Sequence, residues 1–238
     1  MEDKHEQFHL LMDLLERQVP IRVLSYGEGE YAFIFDREPG STREVFTEEM
    51  RLELLSAMEW AKKPNIYFTT ILDEELNDPP LRSKIETLIA DMYLELKPLR
   101  DAKVFYRIAR GIYEKDLAAR EAALSFVRFL RGKTVTLVGG KHLRRVLPFL
   151  NSFVLIETPT YGATAWVDKI EKEILESPKT DLYLFHAGVV SNALIHRLSE
   201  QLPDASLIDV GSFWDLLLGI GTRAQKEFEP PLVTPEML

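Results

Sequence analysis

Residues 21–35 read Ile-Arg-Val-Leu-Ser-Tyr-Gly-Glu-Gly-Glu-Tyr-Ala-Phe-Ile-Phe, and the fold turns on how this stretch is read. A mainly apolar run over residues 21–24 ends in Ser25 and Tyr26. It meets Gly27, Glu28, Gly29 and Glu30, and a second apolar run follows over 31–35. The two glycines let the backbone turn sharply and approach a ligand closely. The two carboxylates, spaced i and i+2, are pinned to that turn between buried elements. Paired hard oxygens at a strand end suit a divalent cation that also carries substrate phosphates. A tight surface turn with two solvated glutamates has the same composition, so the rest of the chain has to decide.

Further apolar runs with strand character lie at residues 66–70, 104–106, 134–138, 153–156, 182–186 and 206–210. Amphipathic stretches of helical length fall between many of them, at 47–61, 81–96, 116–130, 142–149, 163–175 and 190–201. Strands alternating with helices of this length predict βαβ units and a mostly parallel sheet. The fold class is therefore α/β and Rossmann-like, with helices flanking the sheet. No repeat, low-complexity segment or composition shift divides the chain. One domain over residues 1–238 is expected, opened by a helix within 1–20 and closed by a tail over 224–238. Pro230, Pro231 and Pro235 keep that tail from continuing a helix.

In an open parallel sheet, ligands bind beyond the carboxyl ends of the strands. Five polar or glycine-rich turns fall there: Gly27 to Glu30; Gly139, Gly140, Lys141 and His142; Thr158 to Gly162; His186, Ala187 and Gly188 through Asn192; and Asp209, Val210, Gly211 and Ser212. Glycines leading into helices expose backbone N–H groups at a positive dipole end, which favours phosphate. Of the five histidines, His142 and His186 lie at this ligand edge and are the two worth testing. His196 reads as a helix-surface or core residue. Trp60, Trp166 and Trp214 are expected to pack in the core or at its margin, with base or sugar stacking by Trp214 or Tyr161 as the minor alternative. Asp73, Glu74 and Glu75 follow the strand at 66–70, where a general base or a solvated acidic turn would fit.

Bulk properties narrow the class. Of 238 residues 46% are hydrophobic, enough for a sizeable core, and the net charge is −9 with a pI near 5.2. Coating nucleic acid needs a basic surface, so nucleic acid is a disfavoured partner, although one local basic groove is compatible with this charge. Without cysteine there are no disulfides and no thiolate metal sites. No run approaches the roughly 20 apolar residues that cross a bilayer. The N-terminal stretch is acidic and amphipathic, unlike a signal peptide, and a cytoplasmic protein is expected.

The arrangement resembles the bacterial glycosyltransferases of the GT-D fold. Their signature is a strand followed by Gly-Asp-Gly-Glu, here Leu24-Ser25-Tyr26-Gly27-Glu28-Gly29-Glu30. A second likeness lies in Leu182 to Gly188, a helix, and then Leu207-Ile208-Asp209-Val210-Gly211-Ser212, with Asp215 and Arg223 matching a downstream aspartate and arginine. The likeness spans about residues 21–223. It implies a hexosyltransferase-like enzyme that takes a nucleotide-sugar, usually a UDP-sugar, with a divalent cation such as Mn²⁺ or Mg²⁺. The acceptor would be a glycan, a glycoprotein or a small molecule. Carried over, Glu28 and Glu30 are the metal residues. Glu30 and Asp209 are the candidate catalytic groups, with Asp73 a further candidate base. Gly27, Glu28, Gly29, Gly139, Gly140, Gly188, Gly211, Ser212 and Arg223 are the donor-binding set. The chain departs from the pattern at Glu28, where the family has Asp, so the carboxylate sits about 1.5 Å further out. It departs again at Ser25, where an arginine is frequent. Two other classes compete: a non-catalytic nucleotide or sugar-phosphate binding module, and a transferase that glycosylates a modified DNA base. A Rossmann oxidoreductase or methyltransferase fits less well, because no GxGxxG follows the first strand.

Overall fold

The computed structural model describes residues 6–36, 44–63, 65–70, 79–88, 105, 108, 116–219 and 236. Its centre is one six-stranded sheet: β1 Arg22–Tyr26, β2 Ile66–Thr70, β3 Thr134–Gly139, β4 Ser152–Glu157, β5 Leu182–His186 and β6 Ser206–Asp209, in the order β2-β1-β6-β5-β3-β4. Every adjacent pair is parallel, so the mostly parallel expectation resolves to an all-parallel sheet. Parallel sheets are buried on both faces, and the alternation along each strand shows how. Leu24, Tyr26, Val138, Tyr183, Phe185 and Leu207 face one hydrophobic layer. Ile21, Val23, Val135, Leu137, Leu182, Leu184 and Ile208 face the other.

Each layer is closed by helices whose apolar stripes match it. On the first side lie α3 Glu48–Trp60, α4 Pro79–Leu88, α6 Val167–Glu176 and α7 Val189–Leu198, through Leu54, Ile85, Ile170 and Leu194 among others. On the second lie α1 Glu6–Glu16, α5 Leu117–Arg131 and the short α8 Phe213–Leu217, with the 3₁₀ segment Lys141–Phe149. Helix starts are set locally: Asp116 caps α5 by accepting from the N–H groups of Ala118 and Ala119, and Thr47 caps α3 through Met50. Arg22, buried in β1, donates to the carbonyls of Ser199, Leu202 and Pro203 and so fastens the end of α7 to the sheet. Burial lowers its guanidinium from the ordinary value, partly offset by Asp204. None of the helices among the described residues is long and apolar enough to cross a membrane.

Three sequence expectations change. Phe105, within the apolar run expected to form a strand over 104–106, is helical instead and packs in the second layer against Phe8, Phe126 and Phe213. The second apolar run, after Glu30, is a single helical turn, α2 Glu28–Tyr31, widening into a π-helical turn Ala32–Asp36. Trp166 is exposed and covered only by Lys169, whereas Trp214 is fully buried and unavailable for stacking on a ligand. Asp73, Glu74, Glu75, residues 89–96, Arg223, and the tail over 224–238 apart from Glu236 lie outside the described residues.

Candidate functional site

Because all strands run the same way, their carboxyl ends share one edge, and all five turns singled out from the sequence stand along it. Two places along it matter.

The first opening is between β1 and β6. Pairing of β1 with β2 continues to Tyr26 and Thr70, but pairing of β1 with β6 ends at Val23 and Ile208. Beyond that point Ser25 has no strand partner on the β6 side. Asn192, fully buried in α7, supplies one: its Oδ1 accepts from the Ser25 N–H at 3.0 Å and its Nδ2 donates to the Ser25 carbonyl at 2.9 Å. A side chain thus satisfies the backbone where the strands part. Gly27 to Glu30 follows β1 at this edge, and the turn after its neighbour β6 follows at the same edge. There the Asp209 carboxylate accepts from the Gly211 N–H at 2.8 Å. Gly188 and Gly211 have φ of +60° and +52°, a backbone that other residues adopt with strain, and a side chain on either would meet open space. Gly188 opens α7, and the Ser191 hydroxyl takes the Ala187 N–H at 3.0 Å.

Glu30 is 8% exposed, and its Oε2 accepts from the Gly27 N–H at 2.7 Å. A glutamate three residues into a helix reaching back to the N–H that precedes it is one half of a capping box. Glu30 therefore shapes the turn as well as facing it. The sequence reading treated Glu30 as a ligand separate from the core; the Gly-x-x-Glu spacing was the signal for this second role.

The second place is between β3 and β5, which stay paired to their last residues, Gly139 and His186. The chain leaves β3 outward to the edge strand β4, crosses back to β5, and goes on to β6. Adjacent strands whose exits diverge form a topological switch point, where α/β proteins bind ligands. His186 ends β5 and His142 opens the 3₁₀ segment after β3. Asp215, on α8, reaches between them. His142 Nε2 lies 3.0 Å from Asp215 Oδ1, and His186 Nε2 lies 3.2 Å from Asp215 Oδ2. The rings are 5.3 Å apart at a steep mutual angle. Burial alone would raise the Asp215 carboxyl; the charge of His186 and contact with both imidazoles outweigh it and hold the carboxyl well below the usual range. His142 Nε2, Asp215 Oδ1, His186 Nδ1 and Trp214 Nε1 are nevertheless buried with no aligned hydrogen-bond partner.

The two glycines after β3 make this cluster possible. A Cβ on Gly139 would fall 2.8 Å from the His186 carbonyl oxygen, and one on Gly140 would fall 2.7 Å from His142 Nδ1. Their bareness lets one strand crowd the other and lets the His142 ring fold over the backbone. Of the residues proposed from sequence, Gly27, Gly29, Glu30, Asp209, Gly211, Ser212 and Gly188 border the β1/β6 side, and Gly139 and Gly140 the β3/β5 side. Glu28 is the first residue of α2, and its side chain lies outside the described residues.

No family model matches the sequence, and no curated protein matches it significantly. Solved structures do. One, described as "The highly conserved domain of unknown function 1792 has a distinct glycosyltransferase fold", superposes with a TM-score of 0.62 at 17% identity, covering 87% of this chain and 77% of that one. Another, a glycosyltransferase (DUF1792) from Streptococcus sanguinis, gives 0.63 at 16% identity, covering 87% and 80%. A selenomethionine structure of the same domain gives 0.61 at 16% identity, covering 89% and 83%. The protein thus has the glycosyltransferase fold described for those structures.

Proposed function

We propose that the protein is a glycosyltransferase. It moves a sugar, a hexose in the first instance, from a nucleotide-sugar such as a UDP-sugar to a hydroxyl on a glycan, glycoprotein or small molecule, assisted by a divalent cation. The observation that carries this reading is the opening between β1 and β6. There the Gly-Glu-Gly-Glu turn and the segment of Asp209, Gly211 and Ser212 follow neighbouring strands at the carboxyl edge of a sheet whose fold is that of glycosyltransferases.

In the reaction the bond between the anomeric carbon and the diphosphate oxygen breaks and a bond to the acceptor oxygen forms. The acceptor proton passes to a base, and the nucleoside diphosphate leaves. Three tasks fall to this chain. Charge growing on the diphosphate needs preorganised donors, and the free N–H groups at the start of α7, beside Gly188, suit it. The acceptor hydroxyl needs a base within reach, for which Asp209 and Glu30 are the candidates. Water must be kept out to avoid donor hydrolysis, and Arg223 is a further candidate partner for phosphate. Glu30 gives one carboxylate oxygen to the Gly27 N–H. The second oxygen and the Glu28 carboxylate fit a hard cation such as Mn²⁺ or Mg²⁺. When bound, that cation would neutralise phosphate charge.

The test is a panel of UDP-, GDP-, CDP- and dTDP-sugars with Mn²⁺ or Mg²⁺, read by melting temperature and by release of nucleotide in the presence of sugar acceptors. One nucleotide series should raise the melting midpoint by mass action and be consumed. A midpoint shift without any turnover returns the binding-module reading, and no response to any sugar nucleotide removes both.

A further inference from the structure

We infer that His142, His186 and Asp215 form a binding site for a divalent transition-metal ion, separate from the glutamate pair of the turn after β1. One ligand atom from each residue lies within 4.8 Å of the other two. With metal–ligand bonds of about 2.1 Å, neighbouring ligand atoms in a coordination sphere stand roughly 3.0–3.4 Å apart. Each histidine Nε2 stands at such a length from one oxygen of Asp215, 3.0 Å from Oδ1 for His142 and 3.2 Å from Oδ2 for His186.

A plain histidine–carboxylate ion pair explains the cluster less well. His142 Nε2 and Asp215 Oδ1 are close, yet neither points along a hydrogen bond to the other, and both are buried. An ion between them would give both atoms a partner. The His186 side chain is only 8% exposed, and its Nε2 is turned to Asp215 Oδ2 while its Nδ1 has no hydrogen-bond partner. The His142 side chain is 37% exposed, so the ion has a way in. Gly139 and Gly140 hold the two histidines in place by leaving no Cβ in their way.

The donor set selects the ion. Imidazole suits Zn²⁺, Fe²⁺, Co²⁺ and Ni²⁺, while all-oxygen sets suit Mg²⁺ and Ca²⁺. Two imidazoles and one carboxylate therefore favour a transition metal. Three protein ligands leave at least one position for water or an anionic oxygen of a ligand. The site is distinct from Glu28 and Glu30 by position: β1 and β5 have β6 between them, which puts the two turns about 10 Å apart at ordinary strand spacing.

The full chain, stripped with a chelator, is titrated with Co²⁺ and followed by visible absorption, with Zn²⁺ as competitor. The wild type should bind one Co²⁺ that Zn²⁺ displaces. His142→Ala and Asp215→Asn should each weaken it by at least about tenfold, while Glu30→Gln leaves it unchanged. Circular dichroism verifies folding, and His142→Ala, at the exposed end of the cluster, covers the case in which Asp215→Asn fails to fold. No Co²⁺ binding by the wild type would overturn the site. So would binding that survives His142→Ala or is lost equally in Glu30→Gln. Because the readout needs no sugar nucleotide, it stands or falls apart from the glycosyltransferase reading.

Discussion

The turn after β1 and the histidine cluster between β3 and β5 are both acidic centres at one sheet edge, yet their polar groups are used in opposite ways. At the turn, two carboxylates contact nearby backbone: Glu30 reaches back three residues to Gly27, and Asp209 reaches forward two to Gly211. At the cluster, the three residues come from three different elements, 29 to 73 positions apart in the chain, and one buried polar atom of each has no hydrogen-bond partner. The first arrangement shapes backbone to meet a ligand. The second gathers side chains around a point. That contrast separates the two proposals: phosphate binding is assigned to the glycine turns, and a transition-metal ion to the switch point.

The largest expected effect tests what holds the first opening apart. Asn192→Ala leaves the Ser25 N–H and carbonyl buried without partners. An unsatisfied buried group costs about 1–3 kcal/mol, so the variant should lose roughly 2–5 kcal/mol in urea denaturation. An unchanged unfolding midpoint would mean that β1 and β6 simply zip together once Asn192 is gone, and the opening would be an effect of that side chain alone.

Next comes Glu30, where shape and charge can be separated. Glu30→Ala removes the cap and should cost about 1–2 kcal/mol, along with transfer. Glu30→Gln keeps an acceptor for the Gly27 N–H but no charge. It should melt close to the wild type while losing cation-supported donor binding in calorimetry. Equal loss of stability in both variants would assign Glu30 to the fold alone.

The sheet was legible because each strand is a short apolar run bounded by Gly, Pro or acidic residues, and five of the six lie within a residue or so of where the pattern puts them. Strand order was not legible. Nothing local in residues 134–186 says that the chain crosses back over β3 before laying down β5, and that crossing is what sets His142 beside His186. Both histidines were visible as edge residues; their convergence on Asp215 was not, because it depends on where α8 docks. Phe105 shows the opposite failure, since a local β-like run lost to packing among aromatic rings.

A smaller effect sharpens the second region. Gly140→Ala places a methyl 2.7 Å from His142 Nδ1, and the ring, at the exposed end of the cluster, can swing away. Stability should hardly move. Co²⁺ affinity should fall by roughly tenfold, the scale at which disturbed ligand orientation is felt. Full affinity in this variant would show that His142 is not held in its present pose when the ion binds.

The smallest effect comes from a carboxylate–histidine contact that serves as the internal control. His196 Nδ1 donates to Glu53 Oε1 at 2.9 Å in good alignment, and Arg197 joins Glu53 to Asp168 and Glu171, tying α3, α6 and α7 together. The His196 hydrogen bond, with help from Arg197, holds the Glu53 carboxyl below its ordinary value against the opposing pull of burial. A group whose carboxyl is depressed on folding stabilises the protein above its unfolded pKa, about 4.3 for glutamate, and loses that contribution as pH falls through the folded value. Glu53→Gln should therefore cost about 1 kcal/mol at pH 7, and the gap to the wild type should narrow below about pH 4. Zn²⁺ should leave this gap unchanged, since the aligned pair has no bare atoms to offer, whereas it should stabilise the wild type through the misaligned pair at Asp215. If Zn²⁺ stabilised the Asp215→Asn variant as much as the wild type, and that gain vanished in Glu53→Gln, then alignment would be no guide to which carboxylate–histidine contact takes an ion in this chain.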